Sequence, residues 1–271
     1  MQITKLSLMV SFVVGTATQA QAALLADFDG GGVPYAEGAF RSTPVNSAQI
    51  RAGGPTGNYY HLLDSAEGDS GNTLSFESPS STAGWLSVSF TMDYSSLFVA
   101  ADGFSVAFLD RAIHGDSGAV AAGANGLADV EERGQYSNSI GVGFRTFNGT
   151  NATINYNGDE SADAPYALAS GGWGSMEISM ERDLDTNDVL VDVSTFTGTG
   201  QTGTEIPVFE DYAIAGVTME EFRVQIAGRT GGSAMTLDLD NINLDVSVIP
   251  EPASSLLAGL ACLGLIIRRR R

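Results

Sequence analysis

Apolar and polar residues alternate along several stretches of this chain, and turn residues interrupt them at short intervals. No other feature constrains the fold as tightly. Leu86, Val88, Phe90 and Met92 fall on one side, with Ser87, Ser89 and Thr91 on the other. Met176, Ile178 and Met180 alternate with Glu177, Ser179 and Glu181, and Val189, Val191 and Val193 with Leu190, Asp192 and Ser194. Ile242, Leu244, Val246 and Val248 alternate with Asn243, Asp245 and Ser247. A period of two with one wet face is the pattern of antiparallel strands in a sandwich or barrel. Further strands are expected at Leu24–Phe28, Tyr59–Leu63, Phe104–Leu109, Ile140–Phe147 and Phe222–Ala227. About a dozen strands, with no repeat and no Pro/Ser-rich linker, favour an all-β, two-sheet antiparallel jelly roll.

Charge narrows the partners. Residues 23–249 hold eight arginines and no lysine against 31 acidic residues, a net charge of −23. Such a surface repels phosphate backbones and excludes nucleic acid as a partner. It keeps an exported protein soluble and is able to attract divalent cations. The single thiol, Cys262, lies outside this body, which therefore has no disulfide and no thiolate site.

Both ends carry sorting features. Lys5, the apolar stretch Leu6–Ala17 and Ala20-Gln21-Ala22 have the layout of a secretory signal peptide over 1–22. Export by the Sec machinery and cleavage by signal peptidase after Ala22 are expected. At the other end, Pro250-Glu251-Pro252 precedes an apolar run, Ala253–Ile267, and then Arg268, Arg269, Arg270 and Arg271. As a helix that run spans about 22 Å, somewhat short of the ~30 Å hydrocarbon core. It inserts if the arginines snorkel and the bilayer thins, and those arginines hold the terminus on the cytoplasmic side. A short C-terminal transmembrane helix, held transiently in the inner membrane, is therefore expected.

These last residues, 250–271, resemble a PEP-CTERM sorting signal. The resemblance implies recognition by an exosortase and cleavage near Pro-Glu-Pro. It places the body in the envelope, on the surface or in the extracellular matrix of a Gram-negative bacterium, with extracellular polysaccharide as a partner.

Three stretches of the body resemble L-type (legume) lectins. They are Ala101-Asp102-Gly103 leading into Phe104–Leu109, the strand Ile140–Asn148, and Gly228-Arg229-Thr230-Gly231-Gly232 followed by Asp240-Asn241-Ile242. Trp173 with the Met176–Val193 hairpin fits the same concanavalin-like jelly roll. The resemblance implies a glycan site in which Asp102, beside Gly103, accepts a sugar hydroxyl, with Asn148 or Asn151 joining it. The family's metal-binding strand carries a Glu and an Asp where this sequence has Gly143 and Arg145, so the metal that braces the family's site is not implied here. Asp102 is alternatively a turn residue before Gly103.

Two calcium readings compete with plainer ones. Asp183, Asp185, Asn187 and Asp188 supply alternate oxygen ligands, but the sixth-position Gly and the terminal Glu of an EF-hand are missing. Asp and Asn are ordinary hairpin residues there. Asp238 and Asp240 with Asp27 and Asp29 form a second set if the first and last strands lie side by side; solvated carboxylates on a polar strand face are the alternative. A structural calcium ion is the only cofactor these residues suggest, and none of them forms a complete ligand set in the sequence. Catalysis has little support. Only His61 and His114 occur, and Glu181-Arg182-Asp183 ends in Thr186 where a concanavalin-like glucanase carries a second Glu. The expectation is an exported, non-enzymatic surface or matrix protein with a lectin-like, glycan-binding domain. A matrix component without a ligand and a glycan hydrolase with an unrecognised site are the competing readings.

Overall fold

The computed structural model describes residues 19–248 except 40–47, 67, 69–70, 79–81, 98–101, 121–132, 148–149, 167–170 and 233–234. The Pro-Glu-Pro element, the apolar run, the arginine cluster, residues 1–18 and Asn148 lie outside the described residues. Among the described residues no helix is long and apolar enough to cross a membrane.

Alternation becomes strand wherever it was expected. In chain order the first strands are β1 (Gln19–Ala26), β2 (Tyr35–Ala39), β3 (Gln49–Ala52), β4 (Asn58–Leu63) and β5 (Gly71–Phe76). Then come β6 (Trp85–Leu97), β7 (Gly103–Asp110), a one-turn helix α1 (Arg111–His114), β8 (Ile140–Arg145), β9 (Asn151–Tyr156) and β10 (Asp159–Pro165). The last are β11 (Trp173–Arg182), β12 (Val189–Phe196), β13 (Glu205–Ile214), β14 (Phe222–Arg229) and β15 (Thr236–Val248). Two expected boundaries are corrected. Phe28 stands beyond β1 in the left-handed region, at φ 57°, and Phe147 lies in the turn after β8. The backbone of β1 begins at Gln19, so the strand contains the expected cleavage point after Ala22.

The strands form two antiparallel sheets. The first runs β13-β12-β11-β6-β15-β4-β3, with β1 also paired to β15. The second runs β10-β9-β8-β7-β14-β5-β2. One edge of β15 pairs with β6 along its length; the other is shared by β4, at Leu237–Leu239, and β1. The inward residues of both sheets close on one apolar core. Phe90 of β6 meets Phe108 of β7 edge-on at 6.0 Å, and Trp85 meets Phe222 at 5.9 Å. Trp85 is fully buried and donates from Nε1 to Met219 O at 3.1 Å. It is therefore a core residue.

The middle of the second sheet is covered on its outer face too, and β7 is buried at every position. Residues 111–120 and 133–136 lie over it. Gln225 of β14 bonds Val120 and Tyr136, and fully buried Arg223 bonds Ser75 and the carbonyls of His114 and Gly115. Gly134 passes so close to Gly141 that a Cβ there would lie 2.0 Å from its carbonyl oxygen.

Candidate functional site

At one end of the second sheet, register sets four residues in a row across four strands: Arg229 of β14, Gly103 of β7, Arg145 of β8 and Asn151 of β9. Their neighbours Phe104, Phe144 and Ala152 are fully buried in the core. By the pleat, the row itself faces outward. Gly103 has φ +139°, and a Cβ on it would lie 2.2 Å from Phe144 O. Only glycine fits that close approach.

Asp102 precedes this glycine and is pinned from two directions. Its carbonyl accepts from Thr146 N at 3.0 Å. Its Oδ2 lies 2.9 Å from Arg229 Nε, with side-chain exposures of 11% and 15%. The chain after β14 folds against the same carboxylate, because a Cβ on Gly231 would come within 2.7 Å of it. Asp102 is thus a fixed carboxylate in an ion pair, which goes beyond a plain turn role. Phe147, one residue past Thr146, is 49% exposed at the same loop cluster. Asn151 shares the row, but its Nδ2 donates toward Asp163 Oδ2 at 3.4 Å. A fixed carboxylate can accept hydroxyl donors, glycine backbone leaves room beside it, and the exposed ring one residue past Thr146 offers an apolar face. Arg229 and Phe147 were not singled out from the sequence. The glycine-rich stretch 228–232 was the only pointer to the first.

A metal does not fit the strand where the lectin resemblance would put one. Gly143 has no side chain and Arg145 is a cation, so β8 offers no carboxylate there.

The other carboxylates do not converge. Asp183 Oδ1 accepts from Asp185 N at 2.8 Å, Asp188 pairs back to Asp183 N through its carbonyl, and Asn187 takes φ 61°. These are the bonds of a β11–β12 turn. Asn187 Oδ1 also accepts from Arg182, whose guanidinium lies over Trp85 at 5.6 Å. First and last strands do pair, yet the four aspartates of the second calcium set go separate ways. Asp27 closes its own loop on Asp29 N and Gly31 N, and Asp29 accepts from Asn58 N. Asp238 lies 2.5 Å from His61 Nδ1, with Asp64 3.3 Å from that ring's Nε2. Among the described residues no group of three metal-ligating side chains forms.

Asp240 lies behind a cleft of about 340 Å³ lined in part by Thr56, Asp93, Ser175, Gln201, Asn241 and Asn243, and it touches the lining residues Thr56 and Asn241. Asp93 and Asp240 are register partners, 3% and 0% exposed. Asp93 accepts from Gly200 N and Asn241 Nδ2. Thr56 Oγ1 lies 3.1 Å from both Asp240 Oδ2 and Asn241 Oδ1. One hydroxyl proton cannot serve both acceptors. A proton on Asp240 completes the chain, and burial, with the nearby Asp93 charge adding, pushes this carboxyl above its ordinary value.

No family model matches the chain, and no curated protein sequence matches it. Solved structures do. Lectin II from Ulex europaeus superposes with a TM-score of 0.51 at 14% identity, over 78% of this chain and 92% of that one. The Lotus tetragonolobus seed lectin gives 0.51 at 12%, over 80% and 100%. The winged bean acidic lectin, solved with methyl-α-D-galactose, gives 0.50 at 14%, over 87% and 100%. The body is therefore an all-β sandwich with the legume-lectin fold. At these identities the likeness establishes architecture alone.

Proposed function

We propose that the body is a glycan-binding domain of an exported surface or matrix protein, with Asp102 as the principal acceptor of sugar hydroxyls. The observation that carries this is the arrangement at the sheet end: a carboxylate fixed by Arg229, glycine backbone beside it and the exposed ring of Phe147. The lectin fold supports the same reading. Export, exosortase processing and an envelope or matrix location rest on the terminal sequence features. No catalytic role is assigned.

The test is a glycan array with the full chain purified in mild detergent, followed by Asp102→Asn. Hydrogen bonds to charged groups contribute about 1.5–3 kcal/mol, so a positive glycan should bind roughly tenfold or more weakly to the variant. Equal affinity moves the site elsewhere.

A second reading, a matrix component without a defined ligand, draws on the near-complete burial of Asp102, which is 8% exposed. An array with no positive glycan would favour it; a fall in stability in Asp102→Asn would not discriminate, since that substitution also breaks the pair with Arg229.

A further inference from the structure

Acid outnumbers base so heavily in this body that an unpaired cation demands an explanation. Among the described residues Arg51, Arg111, Arg133, Arg182 and Arg229 each meet a carboxylate. Buried Arg223 is satisfied by Ser75 and two loop carbonyls. Arg145 does neither. It has no ion pair with a described residue, and its Nε is buried without a hydrogen-bond partner. The side chain is half-buried, so water solvates its head only in part.

Its place is specific. Arg145 stands opposite Gly103, and Gly103 stands opposite Arg229. No side chain separates the two arginine positions on the outer face. Arg229 is neutralised by Asp102, whereas Arg145, unpaired among the described residues, leaves one positive charge at the loop end of a body whose net charge is −23. Phe147 is two residues further on and 49% exposed. A guanidinium offers a planar fork of donors that matches a carboxylate. The surrounding negative field disfavours a polyanion. It tolerates one carboxylate, because screening at physiological salt confines the field to roughly 8 Å.

We propose that Arg145 receives the carboxylate of a uronic acid borne singly on an otherwise neutral glycan. Asp102 takes a hydroxyl of the same ligand. This rests on the glycan-binding reading above and names the class of sugar it selects.

The experiment uses the full chain in mild detergent at physiological salt. Probes are neutral oligosaccharides each ending in one glucuronate or galacturonate, the same molecules as methyl esters, and uncharged oligosaccharides. The acid should bind at least tenfold tighter than its ester. Arg145→Gln should erase that preference, with acid affinity falling to the level of the ester. Arg145→Lys, which keeps the charge and loses the fork, should restore only part of it. Equal binding of acid and ester by the native chain overturns the inference. So does a preference that survives Arg145→Gln in a variant of unchanged melting temperature. If only uncharged glycans bind, the inference fails and the glycan reading stands. If no probe of any kind binds, both fail together.

Discussion

Arg229 Nε lies 2.9 Å from Asp102 Oδ2, and both side chains are nearly closed to solvent. The pair ties the loop before β7 to the end of β14, and it fixes the orientation of the carboxylate on which the proposed site depends.

Arg229→Met should therefore destabilise the body through Asp102. Removing one partner of a fully buried pair costs about 3–5 kcal/mol. Residual exposure here reduces that to about 2 kcal/mol, a fall of roughly 4–8 °C in melting temperature for a domain of this size. Adding Asp102→Asn should recover much of the loss. A double variant as unstable as the two single losses combined would show that the residues do not act as a pair.

Asp240 makes a prediction of opposite sign. Folding favours its neutral form, so its contribution is complete below the unfolded carboxylate range and is lost as pH rises through the raised folded value. At neutral pH it is a cost. Asp240→Asn keeps the shape without the charge and should raise the melting temperature by about 2–4 °C at neutral pH, the response to roughly 1 kcal/mol. The advantage should vanish on acidification below about pH 4. A variant less stable than the native chain at neutral pH would refute the protonated Asp240–Thr56–Asn241 chain.

For the β11–β12 turn, Asp183→Ala should cost about 1 kcal/mol by removing the bond to Asp185 N. The cost should be the same in EDTA and in millimolar Ca²⁺. An ion at 100 times its Kd would add about 2.7 kcal/mol, so a calcium-dependent rise of several degrees that disappears in the variant would contradict a pure turn role.

Sorting is tested at Glu251. Glu251→Ala should leave export intact and block C-terminal processing, with the uncut chain visible in the membrane fraction by immunoblot. Normal trimming in the variant would mean that exosortase does not recognise Pro-Glu-Pro here.

The strands with one wet face were legible because period two is a local signal. This holds for β6, β11, β12 and β15. Others were hidden by their surroundings. β5 is buried at every position, including Asn72, Thr73 and Ser75, because Asn72 bonds Leu62 O and Arg223 reaches Ser75. Its polar residues therefore read as loop. β13 is an edge strand with most side chains open and Pro207 within it, which a ladder tolerates only at an edge. The β9–β10 hairpin does carry a local sign in the sequence: Asn157-Gly158, both at positive φ, forms its two-residue turn. At the site, Asp102 and Gly103 were legible from a motif. The partnership of Asp102 with Arg229 was not, since it exists only once β14 lies beside β7.

β15 gives the body a mechanical property. It is 13 residues long and hydrogen-bonded along both edges, by β6 on one side and by β4 and β1 on the other. Val248 closes it and is the last described residue. A load on Val248 along the strand axis would be borne by many ladder bonds together in shear. Peeling them one at a time would need a load across the strand.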